Sequence, residues 1–378
     1  MPTPGLSFTI LSFLLVIGPL VFIHEMGHYW VARWFGVHAE TFSIGFGPEV
    51  AHWTDKRGTR WRIGGLPLGG YVRFAGDMGV ASEPDPKWLE LPAEERNRCF
   101  HVKPVWQRAL IVLAGPVVNL LFGALILAGF AYAYGVNVTP AEVRAVMPNS
   151  AAEAAGVKPG DRILAFDRET IPDFGELALR VAMDHQPGER VDMIVERNGA
   201  KIVLPIKIGE RIERDRFGNE THIAQIGVMP VATVVRKISL IEAPVVGLQR
   251  TGELMVMVWD RLSKIVMGQV SVKELGGPLK TAQFSGERAA LGPEALISFI
   301  ALISINLGFI NLLPIPMLDG GHLFFYGIEA IQRRPVSPRV QEIAFRSGLA
   351  LLLGLMVLVT INDLGSFGLW RGLSRLIG

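Results

Sequence analysis

The chain has 378 residues, half of them hydrophobic, with 19% charged residues and a formal net charge of +2. A mean hydropathy of +0.35 is too apolar for an ordinary soluble enzyme, so the composition predicts a polytopic membrane protein. The near balance of charge, without a long Lys/Arg run, argues against nucleic acid as a partner, and the single cysteine, Cys99, excludes an intrachain disulfide and Cys-rich zinc sites.

Leu6 to Ile23 carries no charge and supplies most of a crossing of roughly 30 Å, so a first span is expected from Leu6 to about Arg33. No Lys or Arg precedes Ile23 and a candidate site follows directly, so the segment reads as a retained span and not as a cleaved signal peptide. That site is His24-Glu25-Met26-Gly27-His28. On a helix, His24 and His28 stand one turn apart on one face, so two imidazoles can hold one Zn²⁺ while Glu25 polarises a bound water, the HExxH arrangement of metallopeptidases. Ionisable groups at this depth are costly and point to function; the plain alternative is a helix end whose polar residues reach the headgroups.

Phe42–Pro48 and Trp61–Phe74 mix Gly with aromatic and β-branched residues, a strand-and-bend composition. Non-helical backbone survives at membrane depth only under a cover of protein or a water-filled cavity, and a sheet edge there could pair with an unwound substrate; an ordinary cytosolic loop is the alternative. Ala81 to Arg98, with acidic residues and three prolines, is expected to be solvated and mobile. A second span follows at Ala109 to Tyr134, where Pro116 would kink the helix and Asn119 offers a hydrogen bond across the bundle.

Val136 to about Val231 alternates apolar runs with turns: strands are expected at Val143–Val146, Arg162–Phe166 and Val191–Val195, with a helix at Phe174–Asp184, enough for one small core. Lys237 to Ala289 is amphipathic and rich in Met and Trp, suiting the membrane surface, a gate, or a linker helix packed on the bundle. A third span is expected at Ala295 to Leu318 and a fourth at Ser347 to Asn362, which at sixteen residues needs Arg346 to snorkel or flanking residues to lengthen it. The basic residues from Arg33 to Arg108 and at Arg333, Arg334 and Arg339 put both of those loops in the cytoplasm, with the N-terminus and Val136–Glu294 outside. Spans one and three then end on the cytoplasmic side, so the His pair shares that side with Asn311-Leu312-Leu313-Pro314-Ile315-Pro316-Met317-Leu318-Asp319-Gly320-Gly321-His322. Catalytic zinc takes three protein ligands and one open position. Asp319 is the obvious third ligand, yet Asp-Gly-Gly is also ordinary turn chemistry, and spacing leaves the two readings even; His322 is a weaker rival.

His24-Glu25-x-x-His28 together with Asn311-x-x-Pro314-x-Pro316-x-Leu318-Asp319-Gly320 resembles the site-2 protease family (peptidase M50), in its bacterial branch typified by the regulator of sigma-E protease. Gly115-Pro116-Val117-Val118-Asn119, Gly69-Gly70-Tyr71-Val72 and Arg334-Pro335-Val336-Ser337 extend the likeness over nearly the whole chain. The run Ser150 to Ile163 resembles a PDZ domain; one copy is seen where the sigma-E regulators carry two, so the chain looks like a single-PDZ member.

The resemblance implies a helical membrane protein of about four spans with a membrane-associated β-hairpin and one extracytoplasmic PDZ domain. The expected division is a membrane core at 1–135, the PDZ domain at 136–231, an amphipathic linker at 232–294 and a second membrane core at 295–378. It implies one Zn²⁺ held by His24, His28 and Asp319, with Glu25 catalytic and Asn311, Gly69, Gly70 and Tyr71 meeting the substrate. It further implies a multi-pass protein of the inner membrane that performs regulated intramembrane proteolysis. Substrates would be single-span proteins such as anti-sigma factors, already trimmed by a site-1-type protease, and remnant signal peptides. Two rivals remain on the residues alone: a membrane-anchored zinc peptidase of soluble chains, and a PDZ scaffold for which Glu25 would be dispensable.

Overall fold

The computed structural model describes residues 4–77, 92–214, 220–271 and 276–366. These fall into two compact units, Met1–Gly129 with Ile241–Gly378, and Phe130–Leu240.

In the first unit α1 (Leu6–Trp34) leads into a long antiparallel pair, β1 (Ala39–Thr54) and β2 (Arg60–Phe74). Both strands bend at glycines, so Phe42 pairs with Val72 on one side and with Trp61 on the other, while Ala51 pairs with Ile63. The ribbon thereby curls into four short rows, and Gly70–Phe74 forms one edge, which no other strand covers among the described residues. Aromatic packing fixes the curl: Phe42 stacks on Trp61 at 4.4 Å and Trp61 on Trp53 at 5.9 Å. Most of the segment expected to be mobile, residues 81–91 of Ala81 to Arg98, lies outside the described residues; its end holds the short helix α2 (Ala93–Arg96).

The second long helix, α3 (Val105–Tyr134), begins four residues before the expected span. The Phe130–Leu240 unit opens with β3 (Val136–Val138), β4 (Val143–Val146) and α4 (Ala151–Ala154), then β5 (Arg162–Phe166), β6 (Glu169–Thr170) and α5 (Phe174–Asp184). It continues through β7 (Arg190–Arg197), β8 (Ala200–Lys207), β9 (Gly209–Arg214), β10 (Glu220–Gln225), β11 (Val228–Pro230) and β12 (Val234–Arg236). A four-stranded sheet of order β6-β5-β7-β8 carries the core, in which Ile163, Phe166, Leu177, Met193, Val195 and Ile206 are all but shut off from solvent. Asp173 starts α5 by accepting the Glu176 N–H at 3.0 Å, an N-cap worth roughly 1 kcal/mol. The unit runs past Val231 because β12 returns to pair with β3.

The amphipathic stretch is two helices, α6 (Ala243–Val266) and α7 (Pro278–Ala290). At Gly247 a Cβ would lie 2.3 Å from the Ala124 carbonyl, so α6 packs directly on α3, and α7 packs on α1 with Gly286 against Thr9. Two further long helices complete the unit, α8 (Pro293–Asn311) and α10 (Pro338–Ser366), with α9 (Asp319–Gln332) between them. One span boundary differs from expectation. The third ends at Asn311 and not Leu318, because Pro314 and Pro316 lack the N–H groups that a continuing helix needs. The fourth is lengthened by its flanking residues to Arg339–Gly365, one of the two ways its sixteen-residue stretch could be completed: Arg346 pairs with Glu342 one turn earlier on the same helix, so the charged turn stays helical. In all, four described helices are long and apolar enough to cross a membrane: α1, α3, α8 and α10.

Candidate metal centre

The His24-Glu25-x-x-His28 stretch lies in the second half of α1, with each of the three residues less than a tenth exposed. The i, i+4 spacing sets the imidazoles on one face with ring centroids 4.9 Å apart. Asp319 arrives from the far end of the chain, as the first residue of α9 after the turn that ends α8. That turn is tight. Met317 has φ +80, a region costly for a residue with a side chain, and a Cβ on Gly320 would lie 2.2 Å from the Leu313 carbonyl. Glycine is needed there because the turn folds back against the start of its own helix.

The result is a three-residue donor set. The two Nε2 atoms are 3.3 Å apart, and Oδ2 of Asp319 lies 3.2 Å from that of His24 and 3.6 Å from that of His28. A tetrahedral ion with bonds of about 2.0–2.1 Å has ligand-to-ligand edges of about 3.3 Å, so the three atoms already stand at the corners of such a site. Two imidazoles and one carboxylate also leave the fourth position open, as catalytic zinc requires. The rings are held from α3: Nδ1 of His28 donates to the Ile111 carbonyl at 2.9 Å, and the Asn119 amide lies 3.3 Å from Nδ1 of His24.

A cavity of about 560 Å³ opens over this cluster. Glu25, Gly69, Gly70, Tyr71 and Asn311, all named from the sequence, line it together with the donor set. The backbone at Gly70 lies so close to Glu25 that a Cβ there would meet its Cγ at 3.0 Å and the Ser43 carbonyl at 2.6 Å. Tyr71 accepts a hydrogen bond from Arg62 at 3.2 Å. His322 also lines the cavity, its ring tilted against Phe345 at 4.7 Å, but stands apart from the three converging donors. Phe46, Val21 and Leu349 share the wall without having been singled out from the sequence, since apolar residues in apolar segments carry no mark. Ile111 left no trace either, because it contributes a backbone carbonyl. Asn119 did leave one: an amide in an otherwise apolar span.

Residues 12–355 match the family described as Peptidase family M50. A protein of Agrobacterium fabrum named as a zinc metalloprotease is 42% identical over 369 residues, covering 96% of this chain and 97% of its own length. One from Rhizobium meliloti with the same designation is 42% identical over 366 residues, 95% and 97% of the two chains. Metalloprotease MmpA of Caulobacter vibrioides is 36% identical over 405 residues, 97% and 98% of the two. With four apolar helices of spanning length, the protein is an integral membrane protein, and its metal is zinc. The chain belongs to peptidase family M50, the site-2 protease family, and is a zinc metalloprotease.

Proposed function

We propose that the protein is an intramembrane endopeptidase that cuts the transmembrane segments of single-span proteins. The observation that carries this reading is the meeting of His24, His28 and Asp319 beside Glu25, in a cavity to which all four helices of spanning length contribute, beside a sheet edge that no other described strand pairs with. His24, His28 and Asp319 would hold the zinc. Bound there, the ion supplies a Lewis acid that polarises the scissile carbonyl and lowers the pKa of water. Glu25 takes the proton of the attacking water and returns it to the leaving amine, a general-base and then general-acid role. Asn311, at the end of α8 on the cavity wall, is suited to donate its amide N–H to the oxyanion as it develops or to the substrate backbone.

A helical substrate presents no free amide, so it must unwind before it is cut. The edge Gly70–Phe74 can receive the unwound strand by β-addition, satisfying backbone groups that lipid cannot, with Gly69, Gly70 and Tyr71 as the contact residues. The Phe130–Leu240 unit reads as a single PDZ domain on the strength of its Ser150–Ile163 run and its small sheet with α5. The Lys/Arg bias favours that unit and the N-terminus outside an inner membrane, and the zinc site towards the cytoplasm. Substrates of this kind, anti-sigma factors and remnant signal peptides among them, would reach the enzyme after a site-1-type protease has removed their outer domain.

The test is cleavage of a single-span reporter by the purified protein, with Glu25→Gln and a chelator-treated sample as controls. The expected outcome is a cut inside the reporter's span, mapped by mass spectrometry, made only by the untreated wild type. A cut in a soluble flank supports a membrane-anchored peptidase instead, and full activity in Glu25→Gln removes the zinc-water mechanism.

A further inference from the structure

A zinc-binding imidazole must offer the metal a lone pair on one nitrogen and carry its hydrogen on the other. For His28 the structure shows how this is arranged. Its Nδ1 lies 2.9 Å from the Ile111 carbonyl, which can only accept, so Nδ1 holds the hydrogen and Nε2 is left free to face Asp319 and His24. His24 turns the same face to the cluster: its Nε2 is 3.2 Å from Asp319, and its Nδ1 points to α3. The group it meets there is the side-chain amide of Asn119, which is fully buried.

As placed, Nδ2 of that amide lies 3.3 Å from Nδ1 of His24, and Oδ1 is buried without a partner among the described residues. An amide nitrogen only donates. In that orientation the hydrogen of His24 is driven to Nε2, where it blocks the metal, and a buried carbonyl oxygen is left unsatisfied. A half-turn of the amide exchanges its oxygen and nitrogen without changing its shape. The oxygen then accepts the Nδ1–H of His24, and Nε2 keeps its lone pair for the metal.

The surroundings of Asn119 fit such a task. Its backbone carbonyl accepts the Ser304 hydroxyl at 2.8 Å, which ties this point of α3 to α8. Four residues before it, a Cβ on Gly115 would fall 2.2 Å from Nε2 of His28, so α3 can lie against the rings only because that residue is glycine. The Ile111 carbonyl, one turn before Gly115 on the same helix, is the group that serves His28. Ile111, Gly115 and Asn119 follow one another at four-residue steps along one side of α3, opposite His28 and His24 on α1.

We propose that Asn119 is a positioning residue that fixes the tautomer and ring orientation of His24, so that α3, through Asn119 and the Ile111 carbonyl, supplies the outer hydrogen-bonding shell of both histidines. The inference rests on the reading of His24, His28 and Asp319 as the zinc ligands. Partners of this type commonly contribute 10–100-fold to metal affinity.

The experiment is competition for Zn²⁺ between the purified full-length protein and a fluorescent chelator of known affinity, with the thermal unfolding of the metal-stripped protein measured alongside. Asn119→Leu, which keeps the branched shape and removes the acceptor, should bind zinc about 10–100-fold more weakly while the stripped protein unfolds at the wild-type temperature. Asn119→Asp, whose carboxylate accepts the same hydrogen, should bind at least as tightly as wild type. Wild-type affinity in Asn119→Leu, or a loss in Asn119→Asp as large as that in Asn119→Leu, overturns the proposal. Should Asn119→Leu not fold, the Asn119→Asp comparison decides alone: binding more than about 10-fold weaker than wild type overturns it. His24→Ala separates the two layers of the argument. If it loses zinc while Asn119→Leu does not, only the positioning role fails; if it keeps zinc at wild-type affinity, the ligand assignment beneath it fails.

Discussion

The two units of the chain put their apolar and ionisable side chains in opposite places. In Phe130–Leu240 the interior is Ile163, Phe166, Leu177, Met193 and Val195, and a fully buried carboxylate, Asp161, is answered by Arg197. In the other unit Leu11, Leu125 and Leu351 are each more than 60% exposed, whereas His24, Glu25, His28, Asn119 and Asp363 are buried. Solvent accounts for the difference. An apolar side chain facing lipid loses nothing, so helix packing there relies on close approach at small residues such as Gly27, Gly123 and Gly308. Polar groups find no partner in lipid and must be satisfied within the protein, as Asp363 is by the Gly277 and Lys280 N–H groups at the start of α7. Burial therefore means stability in one unit and, around the metal centre, chemistry in the other.

That contrast can be broken first at Glu25. Glu25→Gln removes the proposed base but also a buried carboxylate, so turnover should fall by about 10²–10⁴-fold while resistance to thermal unfolding is unchanged or higher. Reporter cleavage and a melt of the same preparation check both halves, and a variant that loses stability in step with activity would place Glu25 in the framework of the fold. Asn311→Ala should cost about 10²-fold in kcat with KM nearly constant if the amide acts on the developing oxyanion, and mainly KM if it only holds the substrate backbone. In the other unit the signs reverse. Leu177→Ala opens a cavity in the Phe130–Leu240 core and should cost roughly 2–5 kcal/mol there. Hydrogen exchange of the β5 and β7 amides should speed up accordingly, while cleavage of a reporter without a soluble domain stays at the wild-type level.

How much could be read beforehand follows the same division. His24 and His28 were legible because one helical turn is a local rule, and the strands at Val143–Val146 and Arg162–Phe166 and the helix at Phe174–Asp184 because alternation and periodicity are local as well. Asp319 was not decided by spacing: its part in the cluster depends on a turn almost three hundred residues from His24, closed by Met317 and Gly320. The Ile111 carbonyl has no side-chain signature. The bend of β1 and β2 into four rows was beyond a composition argument, since glycine permits a curl without specifying which rows pair. Which way the short fourth span is completed was also left open by the sequence, and the helix settles on lengthening, because Glu342 and Arg346 pair one turn apart and the charged turn stays helical.

The smallest expected effect tests whether the buried charge of the Phe130–Leu240 unit is structural. Burial pushes the Asp161 carboxyl up, but hydrogen bonds from Arg197 at 2.6 and 2.7 Å and from the Lys158 N–H at 2.8 Å outweigh it and hold the group below its ordinary value. In the unfolded chain Asp161 takes up its proton near pH 4, in the folded chain only at lower pH. Between those two points the unfolded state binds more protons, so the stabilisation is complete above about pH 5 and fades as the pH falls through the depressed value. Asp161→Asn lacks that titration. Its deficit relative to wild type should be constant from about pH 5 to 8 and shrink below about pH 4, read from β5 and β7 hydrogen exchange corrected for its intrinsic pH dependence. A deficit that persists undiminished near pH 2 would mean that the hydrogen-bonding shape of Asp161, and not its charge, holds Arg197 and the Lys158 turn in place.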